Sequence, residues 1–283
     1  MVTKEKLISD LKQLGIQSGD TLLIRGNLGK LGRLENREDL LNAFLEVVGE
    51  EGTLVTLSFS KSFPFYRVDK NYIFDIHKKS TSGALANLFL KHNKHVRSSH
   101  PTNSFVAIGK NANQIVTKHN ETSLSYSPIK ELIDLDAKLL NFGITRSSPG
   151  FTTVHYAQEE LGLTKQSFFN GLLRVYYKNN DGETQLFKRN DRGGCSMGFD
   201  NFYKFYLEEK TLTIGLLGKS EVIMASAKEL YKIEYLQISK NPSVHFCDNP
   251  LCISCRITWK YSLKDIPSFF VLKIIDLVRK VMK

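Results

Sequence analysis

The sequence predicts an α/β fold with a β-rich insertion, and three observations predict it. Apolar residues at helical spacing alternate with short apolar runs of strand length, in the βαβ rhythm. Leu172 to Phe187 turns β-rich around Asn179-Asn180-Asp181-Gly182, which reads as a hairpin. The 283 residues are 41% hydrophobic and 24% charged, which excludes a disordered or collagen-like polymer.

The first helix runs from Thr3 to Leu14, with Leu7, Leu11 and Leu14 on one face. The turn Gly19-Asp20 then feeds the strand Thr21-Leu22-Leu23-Ile24. A glycine loop, Gly26 to Gly32, precedes a helix from about Asn36 to Val48, and the strand Gly52 to Leu57 follows. Ser60 to Ser80 is aromatic and irregular and reads as a long functional loop. Ser82 to Lys91 buries Leu85, Leu88 and Phe89 as a helix, before the strand Ser104 to Ile108. Pro128 to Leu135 and Lys138 to Phe142 form another helix and strand, and the polar loop Gly143 to Gly150 leads to a helix starting near Thr152. Helices are also expected over Phe199 to Leu207, Glu221 to Tyr231 and 267–283. The hairpin insertion falls near residues 170–190. No repeat or Pro/Ser linker divides the chain, so one domain over 1–283 is favoured.

Thirty-nine Lys and Arg against 29 Asp and Glu leave a net charge of +10, which suits an anionic partner. The basic residues are spread along the chain, with no RNP-like aromatic motif or zinc-finger spacing, so nucleic acid is not the expected partner. No run approaches the ~20 apolar residues of a spanning helix. The N-terminus lacks the apolar core of a signal peptide, and a cytoplasmic protein is expected.

His155 and Glu159 lie four residues apart, so a helix puts them on one face, where a carboxylate can orient an imidazole base. Taken alone, the pair is more readily read as an ordinary His and Glu on the surface of an amphipathic helix. Arg97-Ser98-Ser99-His100-Pro101-Thr102-Asn103-Ser104 gathers a cation, a histidine and five short polar side chains, which suits an anion or amide binder, or a polar turn before a strand. Gly26 to Gly32 is spaced GxxGxxG, unlike the dinucleotide fingerprint GxGxxG, and reads as a tight turn. His245, Cys247, Cys252 and Cys255 have the ligand types of a structural zinc site. Closed sites draw their pairs from separate turns, and these four fall within one short run, so free thiols are favoured. Cys195 is expected to be a buried thiol. The tail sets Phe270, Ile274, Leu277, Val278 and Val281 against Lys273, Asp276, Arg279, Lys280 and Lys283; packing on the core or a partner subunit is favoured over an anionic membrane.

The ordered series Leu28…Leu31-Gly32, Phe74-Asp75…Ser82-Gly83-Ala84-Leu85, Arg97-Ser98-Ser99-His100-Pro101…Ser104-Phe105, Ser127-Pro128 and Thr153-Val154-His155 resembles the aminoglycoside 3-N-acetyltransferase family, over most of residues 5 to 240. The resemblance implies an open mixed sheet flanked by helices and an acetyl-CoA-dependent N-acetyltransferase. It implies that His155 is the base, that Arg97, Ser98, His100, Ser104 and Thr153 line the CoA arm, and that Asp75 faces the acceptor. Two departures stand out. Arg25-Gly26-Asn27 replaces the family's His-Ser-Ser run, and Gln158 stands in its His-x-x-Glu motif, with Glu159 the expected substitute. The basic balance and the scattered acidic residues favour a nucleotide-linked amino sugar of surface-polysaccharide assembly as acceptor. An aminoglycoside is the alternative, and a basic binding protein without activity is the alternative of another class.

Overall fold

The computed structural model describes residues 1–281 apart from Asn180 and Arg192. Asn180 of the expected turn and Lys283 of the tail therefore lie outside the described residues. Its strands are β1 (Thr21–Gly26), β2 (Thr53–Leu57), β3 (Phe63–Pro64), β4 (Ile73–Phe74), β5 (Val96–Arg97), β6 (Phe105–Gly109), β7 (Lys138–Phe142), β8 (Leu173–Lys178), β9 (Thr184–Lys188), β10 (Thr213–Leu217) and β11 (Ser220–Ser226). Its helices are α1 (Lys4–Gln13), α2 (Asp39–Val48), α3 (Ala84–Lys91), α4 (Ala112–Val116), α5 (Pro128–Asp134), α6 (Thr153–Glu160), α7 (Tyr203–Glu208), α8 (Ala227–Lys240), α9 (Ile253–Arg256) and α10 (Ile266–Val281).

Seven strands form a mixed sheet in the order β10-β11-β7-β1-β2-β6-β5. β7, β1 and β2 run parallel, and antiparallel strands extend the sheet on both sides. The period-two alternation of a strand divides the core. Leu22, Ile24 and Leu54 pack with Leu7 and Leu11 of α1, Phe44 of α2 and Phe89 of α3. Leu23 and Val55 point the other way, to Ile129 and Leu132 of α5, Val154 and Ala157 of α6 and Leu230 of α8. Thr3 caps α1 by accepting from Lys6 N at 3.2 Å.

Three segments differ from expectation. Glu221 to Ser226 is strand β11, paired with β7, and α8 begins only at Ala227. Val222 and Met224 join one core and Ile223 and Ala225 the other. A short run of consecutive apolar residues reads alike as helix or as strand covered on both faces, and pairing decides. The loop Ser60 to Ser80 contributes β3 and β4, which pair with β8, and β9 pairs with β8 as well. The hairpin is thus the centre of a second, four-stranded sheet. In α10 the buried side chain is Phe269; Phe270, Val271, Leu272, Ile274, Ile275, Leu277 and Val278 are exposed, so this face does not pack on the core. No described helix is long and apolar enough to cross a membrane.

Candidate active site

The carboxyl ends of the parallel strands β1, β2 and β7 meet at one edge of the sheet, where open α/β sheets bind ligands. The loop after β7 turns there into α6, which carries His155. The imidazole is half-buried. It stacks on Tyr126, with ring centroids 4.4 Å apart and planes 18° from parallel, and meets the edge of Phe199 at 4.8 Å. Gly193 lies so close that a Cβ built on it would stand 3.2 Å from the ring. Gln158 Oε1 lies 3.3 Å from Nδ1. With the amide oxygen accepting, the proton sits on Nδ1 and Nε2 keeps its lone pair free. Burial pushes the imidazole down to about 3; the Gln158 contact opposes this and the charges of Arg25 and Arg189 add to it. The ring is therefore neutral at ordinary pH.

Glu159 does not reach His155. Its Oε1 accepts from Tyr126 N at 3.0 Å and its side chain meets Asp191, which itself accepts from Ser125 N at 2.6 Å. Burial, then the neighbouring Asp191 charge, holds the Glu159 carboxyl well above its usual range. Glu159 and Asp191 accept from the adjacent backbone N–H groups of Tyr126 and Ser125. Their work is to hold residues 125–126, and so the tyrosine ring against which His155 stacks.

Two cavities that share Gly26, Ser82 and Leu85 lie at this edge, and His155 is among the lining residues of neither. The outer one, about 540 Å³, is lined by Gly26 to Gly29, Arg33, Arg37 and the start of α3. Gly83 caps α3 without a side-chain hydrogen bond, leaving N–H groups free to meet an anion. The inner one, about 250 Å³, is lined by Arg25, Thr56, Leu57, Phe59, Ile144 and Ser148. Arg25 donates to Ser148 Oγ at 2.6 Å and to Gly150 O at 3.3 Å, which fixes the loop leading into α6.

A sequence profile described as aminoglycoside 3-N-acetyltransferase matches residues 23–236. The chain belongs to the aminoglycoside 3-N-acetyltransferase family. It is 30% identical over 185 residues to the SPbeta prophage-derived aminoglycoside N(3')-acetyltransferase-like protein YokD of Bacillus subtilis, covering 58% of this chain and 67% of that protein. It is 26% identical over 175 residues to aminoglycoside N(3)-acetyltransferase VII of Streptomyces paromomycinus, covering 56% and 60%. The sequence match thus spans less than two thirds of the latter enzyme. Among solved structures, the apoenzyme of aminoglycoside acetyltransferase AAC(3)-IVa superposes with a TM-score of 0.73 at 21% identity, over 89% of this chain and 95% of that one. The binary complex of AAC-IIIb with CoASH gives 0.72 at 20%, over 84% and 96%. At such identities these likenesses show the fold.

Within this acetyltransferase family fold, the Arg97 segment is buried and hydrogen-bonded to the protein itself. The Arg97 guanidinium donates to Ser104 Oγ, Ser58 O, Ile76 O and Lys78 O, which commits four of its five N–H donors to the protein itself. Ser98 Oγ meets His119 Nδ1 at 3.0 Å and accepts from Phe105 N. His100 is fully buried, stacks on His119 at 4.6 Å, and takes Asn103 N on Nδ1 at 3.0 Å. Burial and the Arg189 charge push it down to about 3. Thr153 lies on the opposite face of α6 and donates to the buried Glu234 at 2.8 Å. Asp75 caps its own turn by accepting from His77 N. Arg97, Ser98, Ser104 and Thr153 are thus engaged by internal partners, because short polar residues before a buried strand satisfy the backbone there first, while His100 Nε2 is buried with no hydrogen-bond partner among the described residues. Sequence reasoning passed over Tyr126, Asp191, Arg33 and Arg37. Only the last two carried a signal, as cations flanking a glycine loop.

Proposed function

We propose that this chain is an acetyl-CoA-dependent N-acetyltransferase acting on an amine of an aminoglycoside, with His155 as the general base. The observation that carries this is the imidazole of His155 near the start of α6, with Gln158 Oε1 3.3 Å from its Nδ1, on the helix that follows the carboxyl end of β7. Nε2 takes a proton from the acceptor nitrogen, whose lone pair attacks the thioester carbonyl carbon. The C–S bond breaks, an amide forms, and the CoA thiolate leaves.

Arg33 and Arg37 at the outer cavity, with the free N–H groups of α3, suit the phosphates of CoA, and the glycine loop lets the chain pass close. The CoASH complex of AAC-IIIb supports this co-substrate. Asn27 and Arg25 then stand where the family's His-Ser-Ser run would be. The +10 charge finds its use in the cofactor, so it no longer argues for a nucleotide-linked acceptor. The Streptomyces paromomycinus relative is an aminoglycoside N(3)-acetyltransferase, and a variant of AAC(3)-IVa is known in complex with apramycin, which favours the aminoglycoside over the polysaccharide-assembly reading.

The test is thiol release from acetyl-CoA with a panel of aminoglycosides and nucleotide-linked amino sugars, with His155→Ala alongside. Release on aminoglycosides, lost with His155, is expected. Release confined to a sugar nucleotide would replace the acceptor, and release indifferent to His155→Ala would remove the base.

A further inference from the structure

We propose that Cys195, Cys247, Cys252 and Cys255 bind one structural zinc ion that ties the loop beside His155 to the C-terminal segment. The four Sγ atoms lie within 4.8 Å of one another, and none is in a disulfide. Cys247 and Cys255 Sγ stand 3.7 Å apart. That is far beyond an S–S bond of about 2.05 Å. It matches the edge of a tetrahedron of sulfurs around zinc, about 3.8 Å for a Zn–S distance of about 2.3 Å.

The ligands come from three stretches: Cys195 from the loop before the 3-10 helix Ser196–Phe202, Cys247 from the turn after α8, and Cys252 and Cys255 from the start of α9. This meets the requirement that a closed site draw on separate turns, which the run 245–255 alone does not satisfy. The residue displaced from the expected set is His245. Its ring is fully buried among Phe199, Phe246 and Trp259, away from the sulfurs, and neither ring nitrogen has a hydrogen-bond partner among the described residues.

The surroundings suit thiolates. Met197 N donates to Cys195 Sγ at 3.4 Å and Cys247 N to Cys255 Sγ at 3.5 Å, the outer-shell support that orients metal-bound sulfur. Arg256 donates to Cys247 O at 2.7 Å and brings positive charge to a site whose four thiolates and one zinc would sum to −2. Cys195 follows Gly193, which abuts His155, and Gly194, which abuts Trp259. The ion would therefore pin the loop that walls the imidazole.

The experiment is metal analysis of the full chain purified without chelator, with exchange into cobalt(II). One zinc per chain is expected, and the cobalt form should show the strong visible absorption of a tetrahedral site with thiolate charge transfer. Cys195→Ala should lose the metal, Cys195→His should retain it, and His245→Gln should keep the cobalt spectrum unchanged. Metal-free protein with four freely reactive thiols would overturn the site. Iron as the resident metal would overturn zinc, and a cobalt spectrum altered by His245→Gln would overturn the ligand set. Because metal content and the cobalt spectrum are read on the unmutated chain, a variant that fails to fold does not decide the question.

Discussion

Gln158 Oε1 stands 3.3 Å from Nδ1 of His155, while Glu159, the next residue, turns its carboxylate to the backbone N–H of Tyr126. The two neighbours thus divide orientation of the imidazole between them. Gln158 fixes its tautomer directly, and Glu159 positions the aromatic ring on which it stacks.

Placing a carboxylate at the nearer position should make His155 a stronger base. Gln158→Glu is expected to move the acid limb of the kcat/KM profile to higher pH by about one unit or more, since an anion beside imidazole favours its protonated form. Gln158→Ala should lower kcat/KM about tenfold, the worth of about 1.4 kcal/mol of orientation. A pH profile in which neither variant differs from the parent would separate Gln158 from the reaction.

Glu159→Gln should leave that acid limb in place. Its carboxyl is held well above its usual range by burial and by Asp191, so the amide resembles the form already present. Glu159→Ala leaves Tyr126 N–H buried without its acceptor and is expected to cost about 1–3 kcal/mol by denaturant unfolding. A limb shifted by Glu159→Gln as far as by Gln158→Glu would return Glu159 to direct contact with the base.

Stability should fall as pH rises from about 5 to 8 because of Glu234. This fully buried carboxyl, which accepts from Thr153 and Tyr206, is pushed up by burial to about 8. Its folded value exceeds its unfolded one, so the stabilisation is complete in acid and is lost as pH rises through 8. The slope should approach about 1.4 kcal/mol per pH unit between the usual carboxylate value of about 4.3 and 8, and level off above 8, superimposed on other titrations. Thermal unfolding between pH 5 and 9 should show the decline and its levelling, and Glu234→Gln should flatten it.

Reversing the charges at the cavity mouth should weaken the co-substrate. Arg33→Glu with Arg37→Glu is expected to raise the KM for acetyl-CoA about tenfold or more with kcat little changed, an effect that shrinks with salt. Isothermal titration with CoA at two salt concentrations provides an independent check. Unaltered CoA affinity would place the phosphates elsewhere.

Gly26→Ala tests how tightly the end of β1 is packed. A Cβ there would meet the Phe142 ring at 2.2 Å, so the substitution should destabilise by about 1–3 kcal/mol through overpacking. Gly26→Ala combined with Phe142→Leu should recover part of that loss if the ring is the obstacle.

What the sequence by itself determined is the local order. Leu7-Leu11-Leu14, the run Leu22-Leu23-Ile24 and the hairpin around Asp181-Gly182 carry their own periodicity and turn chemistry, so these elements were legible before any contact was known. His155 was singled out by the family resemblance, while the partner that the i, i+4 spacing suggested, Glu159, turns to Tyr126 N instead. Tertiary structure decided everything that depends on which distant segment arrives. Pairing with β7 made Glu221 to Ser226 a strand, and β8 drew β3 and β4 out of an irregular loop. The Arg97 cluster turned inward because the carbonyls of Ser58, Ile76 and Lys78 reach its guanidinium and must be satisfied once buried. Gln158 rather than Glu159 faces His155 because the Tyr126 N–H competes for the carboxylate. Cys195 joins Cys247, Cys252 and Cys255 only when the chain folds back. A local spacing rule sees one turn of helix at a time, whereas partners brought from far along the chain are selected by burial and hydrogen bonding across the whole fold.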